Sequence, residues 1–144
     1  MKRSVVVDAT GGPLGATIAG ANVHDTKLLA ATLAAIVVAR PQQTEERLQH
    51  LCLDKGYDNP TGHETVVAYQ YTPHIHRIGE EKLDTAGQKT HPARRWVVER
   101  TLAWLSKCRC LLVRYEKKAV NFLGLLQLAC ALLWMRRRAR LIAD

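Results

Sequence analysis

The chain has 144 residues, 47% of them hydrophobic, with 21 Lys and Arg against 13 Asp and Glu, a formal net charge of +8. That length fits one domain whose core needs no disulfide or metal staple. The apolar fraction, with nine Gly and five Pro, excludes a disordered or collagen-like chain. The charge is uneven: residues 1–90 carry nine Lys and Arg against ten Asp and Glu, a net of −1, whereas residues 91–144 carry twelve against three, a net of +9. A near-neutral body joined to a basic C-terminal third points to a polyanion, either nucleic acid or an anionic membrane surface.

In chain order, Arg3 to Asp8 carries a β-branched run, and Thr10-Gly11-Gly12-Pro13 supplies turn chemistry. With Leu14 to Ala21 as the returning strand, residues 3–21 are predicted to form a hairpin. Asn22-Val23-His24-Asp25 offers capping side chains before Leu28, Leu29, Leu33 and Ile36, which recur at helical spacing and predict a helix over 25–39, ended by Arg40-Pro41. Leu48 to Leu53 reads as a short buried strand with Asp54 at its C-terminal end. Gly56 and Asn59-Pro60 make a turn, and Thr61 to Ala68 a short helix. Tyr69 to Ile78 reads as a further strand, which Pro73 places at a sheet edge. Residues 79–91 lack periodicity and read as a loop, and two long helices are predicted over 93–117 and 119–141.

Cys52, Cys108, Cys110 and Cys130 have neither paired zinc-ligand spacing nor the pattern of a secreted scaffold, so they read as small buried hydrophobes. The N-terminus lacks the apolar region of a signal peptide, which points to the cytoplasm. Val120 to Met135, followed by Arg136-Arg137-Arg138, invites comparison with a membrane span. Its length and its Asn121 and Gln127 favour a buried core helix.

On a helical projection of residues 93–117, Val97, Val98, Thr101, Trp104, Leu105, Cys108, Leu111, Leu112 and Tyr115 form an apolar arc. Arg100, Lys107, Arg114 and Lys118 form a separate basic stripe, with Arg95, Glu99 and Ser106 between the two. Glu99 has two readings: an i,i+4 partner of Arg95, or a metal-binding acid at the border of a cationic surface. Asp54 likewise is either a turn residue or a site residue, because ligands of α/β sheets gather at the C-terminal ends of strands. Carboxylates so placed suit hard Mg²⁺ ions.

Val7-Asp8-Ala9-Thr10-Gly11-Gly12-Pro13-Leu14, Gly20-Ala21-Asn22-Val23-His24-Asp25, Leu53-Asp54-Lys55-Gly56-Tyr57-Asp58 and Arg94-Arg95-Trp96-Val97-Val98-Glu99-Arg100-Thr101, backed by Trp104-Leu105, occur in this order. Together they resemble the DDE transposases of bacterial insertion sequences, the family-5 type above all, from about residue 3 to residue 138. The resemblance implies an α/β fold with an RNase H-like mixed sheet flanked by helices and ending in two long helices. It also implies a single domain over 1–144, made of the body 1–90 and the basic helical part 91–144. Three acids in that family hold two Mg²⁺ ions, for which Mn²⁺ substitutes, to cleave and join DNA strands. The resemblance makes Asp54 the second acid and Glu99 the third, both catalytic metal ligands.

Arg95 and Glu99 fit the family's pattern around the last acid, whereas Pro92 stands at its Tyr position and Ser106 at its Lys position, with Lys107 one step later. Arg95, Arg100, Lys107, Arg114 and Lys118 are the implied DNA contacts. The family's first acid lies on a strand before the segment matched here. The resemblance therefore implies an N-terminally truncated domain, with Asp8 as the one stand-in and a hairpin-turn residue as its other reading. Expected partners are transposon-end and target DNA, with a second copy or a complementing upstream transposase fragment, and no membrane.

Three classes of function follow. One is a transposase enzyme. Another is a catalytically inactive DNA-binding product, whether a remnant or a regulatory second-frame product. The third is a membrane-surface protein using the last helix. His74 and His76 share a strand face and suit phosphate or solvent contact better than a metal. Asn22 or Asp25 is expected to cap the helix that follows, and Trp96 and Trp104 to lie in the core or at its boundary.

Overall fold

The computed structural model describes residues 1–75 and 94–143. The loop assigned to 79–91, together with His76 and Pro92, lies outside the described residues. β1 (Lys2–Val7) and β2 (Pro13–Ala19) form the expected antiparallel hairpin, with Val5 opposite Ala16 and Arg3 opposite Ile18. Its turn is built on Asp8, whose Oδ1 accepts from the Thr10 N–H (2.8 Å), the Thr10 hydroxyl (2.7 Å) and the Gly12 N–H (2.7 Å). Gly11 has φ +89°, which an L side chain rarely adopts, and a Cβ at Gly12 would run into the Trp134 ring. The Gly-Gly pair is thus demanded twice, once by backbone and once by packing.

α1 (Asp25–Ala34) is shorter than the predicted 25–39. Ile36-Val37-Val38 is β-branched and leaves the helix, and the Val37 N–H donates to the Leu14 carbonyl at 3.3 Å, beside β2. His24 caps α1 instead of Asn22 or Asp25, its ring nitrogen accepting from the Thr26 N–H at 3.3 Å. β3 (His50–Cys52) leads into a 3₁₀ turn at Lys55–Tyr57 and then α2 (Pro60–Ala68), which the Asn59 side chain caps by accepting from the Gly62 N–H at 2.8 Å. β4 (Thr72–His74) pairs parallel with β3 and holds Pro73 in the outer strand of that pair.

The first long helix of the basic third is broken. α3 (Arg95–Leu105) ends at Ser106, α4 (Arg109–Leu112) is one turn, and α5 (Ala119–Ala143) runs to the end of the described chain. Ser106, Cys108 and Cys110 are weak helix formers, and the bend carries Leu111 into the core against α5. The projected apolar arc is split accordingly: Val97, Thr101, Leu105 and Leu111 are buried, but Leu112 and Tyr115 are exposed. α5 is corrected too. It buries one stripe, Phe122, Leu126 and Ala129, and exposes Val120, Leu128, Leu132 and Met135. By length and composition alone Ala119–Arg140 is long and apolar enough to cross a membrane.

Helices cover both sides of the hairpin. Val5 packs toward Ala16, Leu105, Phe122 and Leu126, whereas its neighbour Val6 packs toward Leu29, Leu33 and Val66. This is the alternation a strand imposes when both its faces are buried. α1 lies against β1 and β2, with α3 on β1 and α5 on β2. The expected single mixed sheet is divided among the described residues into two two-stranded sheets, because β1 and β3 do not pair and a cavity separates them. The four cysteines are free. Against the expectation that all four are buried, Cys52, Cys108 and Cys130 are half-buried and Cys110 is exposed; partial burial pushes the Cys130 thiol up.

Candidate active site

Asp54 follows Leu53, whose N–H donates to the His74 carbonyl at 3.2 Å and so ends the β3–β4 ladder. The chain must then turn, and Asp54 Oδ1 accepts from the Lys55 N–H at 2.7 Å. The turn reading of Asp54 is therefore correct as far as it goes. The same residue also lines a cavity of about 630 Å³ that Glu99 enters from α3. Two acids distant in sequence are brought to one hollow by a strand end and a helix.

Asp25 also lines that cavity and binds Lys2 Nζ at 3.0 Å. Tyr57 lines it as well. Its hydroxyl pKa is pushed up by burial and further by the charges of Asp25 and Asp54. Sequence reading missed both residues: Asp25 looked like a cap, and only the capping role of His24 separates the two uses. Asp8 lines the cavity too, from the hairpin turn. Burial pushes its pKa up, but the hydrogen bonds from Gly12 and Thr10, with the charge of Arg137, outweigh this and hold the carboxyl below its usual range. With Oδ1 engaged three times, Asp8 fills the turn role.

A protein family described as the Transposase DDE domain matches residues 1–134. The chain belongs to the DDE transposase family. It is also similar to a protein described as the transposase for insertion sequence element IS402 from Burkholderia cepacia, 34% identical over 142 residues, which cover 92% of this chain and 61% of that relative. The chain thus spans under two thirds of the length of the curated relative it matches. No solved structure matches it.

In this transposase-family chain the cations are arranged differently from the projected stripe. The break after Leu105 separates Arg100 from Lys107 and Arg114, so they share no helix face. Arg100 donates to the Thr10 carbonyl (2.7 Å) and its guanidinium lies 5.0 Å from the centre of the exposed Trp96 ring. Trp104 sits at the edge of the core as expected, but Trp96 does not. Arg114 donates to the Glu116 carbonyl (2.7 Å) and the Lys117 carbonyl (2.8 Å), tying down the link into α5. Lys107 and Lys118 are exposed. Arg95 opens α3, but its side chain lies outside the described residues, and with it the ion pair to Glu99.

His74 is buried, with its ring edge-on to His50 at 6.3 Å, whereas the His76 half of the proposed pair is outside the described residues. The carboxylates of Asp54 and Glu99 are the donors a hard divalent cation prefers. Among the described residues no group of three or more His, Cys, Asp and Glu is close enough to hold a metal ion. The chemistry of the two acids, hard carboxylate oxygens at one cavity, fits Mg²⁺.

Proposed function

We propose that this chain works in DNA transposition, contributing Asp54 and Glu99 as catalytic metal ligands to cleavage and joining of DNA strands at transposon ends. The observation that carries the reading is that these two acids line one cavity, in a chain of the DDE transposase family. Mg²⁺, or Mn²⁺ in its place, would supply activation of the attacking oxygen and stabilisation of the leaving one. The protein's own part is to hold the two carboxylates against the cavity and to neutralise phosphates through Arg95, Arg100, Lys107, Arg114 and Lys118. The fold is read as RNase H-like, the work as cytoplasmic, and the partners as transposon-end and target DNA with a second copy or a complementing transposase fragment.

A second reading is a DNA-binding product that does not cut. The specific observation in its favour is that the described residues bring together no three metal-binding side chains.

Cleavage of transposon-end DNA by the complete transposase, with and without Mg²⁺, separates the two. Asp54→Asn and Glu99→Gln each keep side-chain shape and are expected to lower the rate at least about a hundredfold, because each removes a charge that holds the metal. DNA binding should be retained. Cutting that survives both substitutions would overturn the assignment, and binding without cutting in the unmodified protein would favour the second reading.

A further inference from the structure

We propose that Arg137 of α5 and Arg100 of α3 form a clamp for a single phosphate of the DNA strand that enters the cavity, mounted on the turn of the hairpin. Arg137 is the new member of the site. The clamp deepens the reading above and rests on it only in taking the anion to be DNA.

The carbonyl of Thr10 carries the inference. It accepts from Arg100 Nη2 at 2.7 Å and from Arg137 Nη2 at 3.0 Å, and Arg137 also donates to the Thr10 hydroxyl. An exposed turn carbonyl is satisfied by water or by a single donor. Here two helices distant in sequence bring two cations to it, although like charges so close repel. The pair is also held from behind. Each guanidinium lies over an indole, Arg100 5.0 Å from the centre of the Trp96 ring and Arg137 5.3 Å from that of Trp134. Trp134 is fixed in turn by its N–H to the Pro13 carbonyl at 2.7 Å, and the Thr101 hydroxyl donates to the Gly11 carbonyl at 2.7 Å. A Cβ at Gly11 would stand 3.1 Å from Arg100 Nη2, so the glycine makes room for the guanidinium.

A brace for the turn does not use all that these side chains offer. Thr10 and Arg100 are exposed and Arg137 is half-buried. The bonds to Thr10 are made by Nη2 of each arginine; an Arg fork has five N–H donors, and its geometry matches the oxygens of phosphate. Charge points the same way. Arg137 helps to hold the Asp8 carboxyl below its usual range, so Asp8 offsets one of the two guanidinium charges. Glu99 is assigned to the metal. One positive charge is left for an anion from outside, and a phosphodiester carries one negative charge. Position then selects the strand. Asp8 and Ala9, which lead into Thr10, line the cavity, as does Glu99, the neighbour of Arg100. The clamp therefore stands at the rim of the cavity that holds the two acids. A phosphate gripped there fixes the register in which the strand meets those acids, without either arginine touching the reacting atoms. Arg137 is thus a positioning residue, and phosphate contacts of this kind set register without reading sequence.

Methylphosphonate scanning of transposon-end DNA tests the clamp, because it removes the charge of one phosphate at a time. Binding to the complete transposase is measured without divalent metal. One phosphate near the cleavage point is expected to stand out, its neutralisation weakening binding at least about tenfold, as loss of a charge-assisted hydrogen bond does. Arg137→Gln and Arg100→Gln should each weaken binding to unmodified DNA by about the same factor and lose sensitivity at that same phosphate, the non-additivity that marks a direct contact. Arg137→Lys keeps the charge and should keep the salt dependence but only part of the affinity, because the fork is gone. In cleavage assays Arg137→Gln should raise KM for DNA more than it lowers kcat. A mere brace for the turn would lower the melting temperature and weaken binding equally at every phosphate. That result overturns the proposal, as does a scan in which no single phosphate stands out with the unmodified protein. If Arg137→Gln does not fold, Arg137→Lys must show a smaller penalty at that phosphate than the unmodified protein, and an equal penalty overturns the clamp. A phosphate felt by Arg137 in a transposase that cuts nothing would contradict the functional reading alone; cutting through Asp54 and Glu99 with no phosphate that Arg137 feels would contradict the clamp alone.

Discussion

Asp8 and Asp54 both stand where a strand ends, and both accept a hydrogen bond from the backbone of the turn that follows. Their difference lies in what else surrounds them. Oδ1 of Asp8 is engaged by three donors and Arg137 stands nearby, so the residue is fixed in the hairpin. Asp8→Ala should cost about 1–3 kcal/mol by leaving those donors unmet, measured by urea denaturation at neutral pH. Because its folded pKa lies below the ordinary carboxylate value, its stabilisation is full above about pH 4 and is lost as pH falls through the folded pKa. The wild-type chain should therefore lose stability in acid more steeply than Asp8→Ala, and parallel curves would contradict this. The Asp8 turn was readable from the sequence because its partners are two and four residues away. Asp25 was not, because Lys2 and the cavity reach it only through the fold.

Elements were legible where local chemistry decides them and not where packing does. The hairpin, the strand before Asp54 and α2 follow from β-branched runs and turn residues within a few positions. Asn59, read from the sequence only as part of a turn, also caps α2, and Asn59→Ala is expected to lower stability by about 1 kcal/mol, while Asn59→Asp keeps most of it. Equal thermal melting of all three proteins would contradict the cap. The break between α3 and α4 had only the weak helix formers Ser106, Cys108 and Cys110 as a local signal, since the apolar spacing of residues 97–112 continues through it. What divides the helix is the pull of Leu111 toward Phe122 and Leu126. That break also undoes the basic stripe, because a projection assumes one continuous axis.

At the scale of the molecule, the body of −1 and the basic third of +9 meet at the hairpin turn, where Arg100 and Arg137 both donate to the Thr10 carbonyl. Part of the basic excess therefore holds the fold together. The exposed Lys107 and Lys118 are proposed to meet phosphate, and Lys107→Gln should lower the slope of log affinity for DNA against log salt by about 0.9. An unchanged slope would remove Lys107 from the DNA surface. The composition pointed to the polyanion and the motifs to the two acids, but the division of the sheet depends on strand edges no local pattern reports. The central proposal is that Asp54 and Glu99 hold divalent metal at one site. Paramagnetic broadening of backbone amides by Mn²⁺ tests it most directly, with Asp54→Asn and Glu99→Gln as controls. Signals beside both acids should broaden together and recover together in either variant; broadening beside only one of them, or broadening that survives both substitutions, would contradict the account.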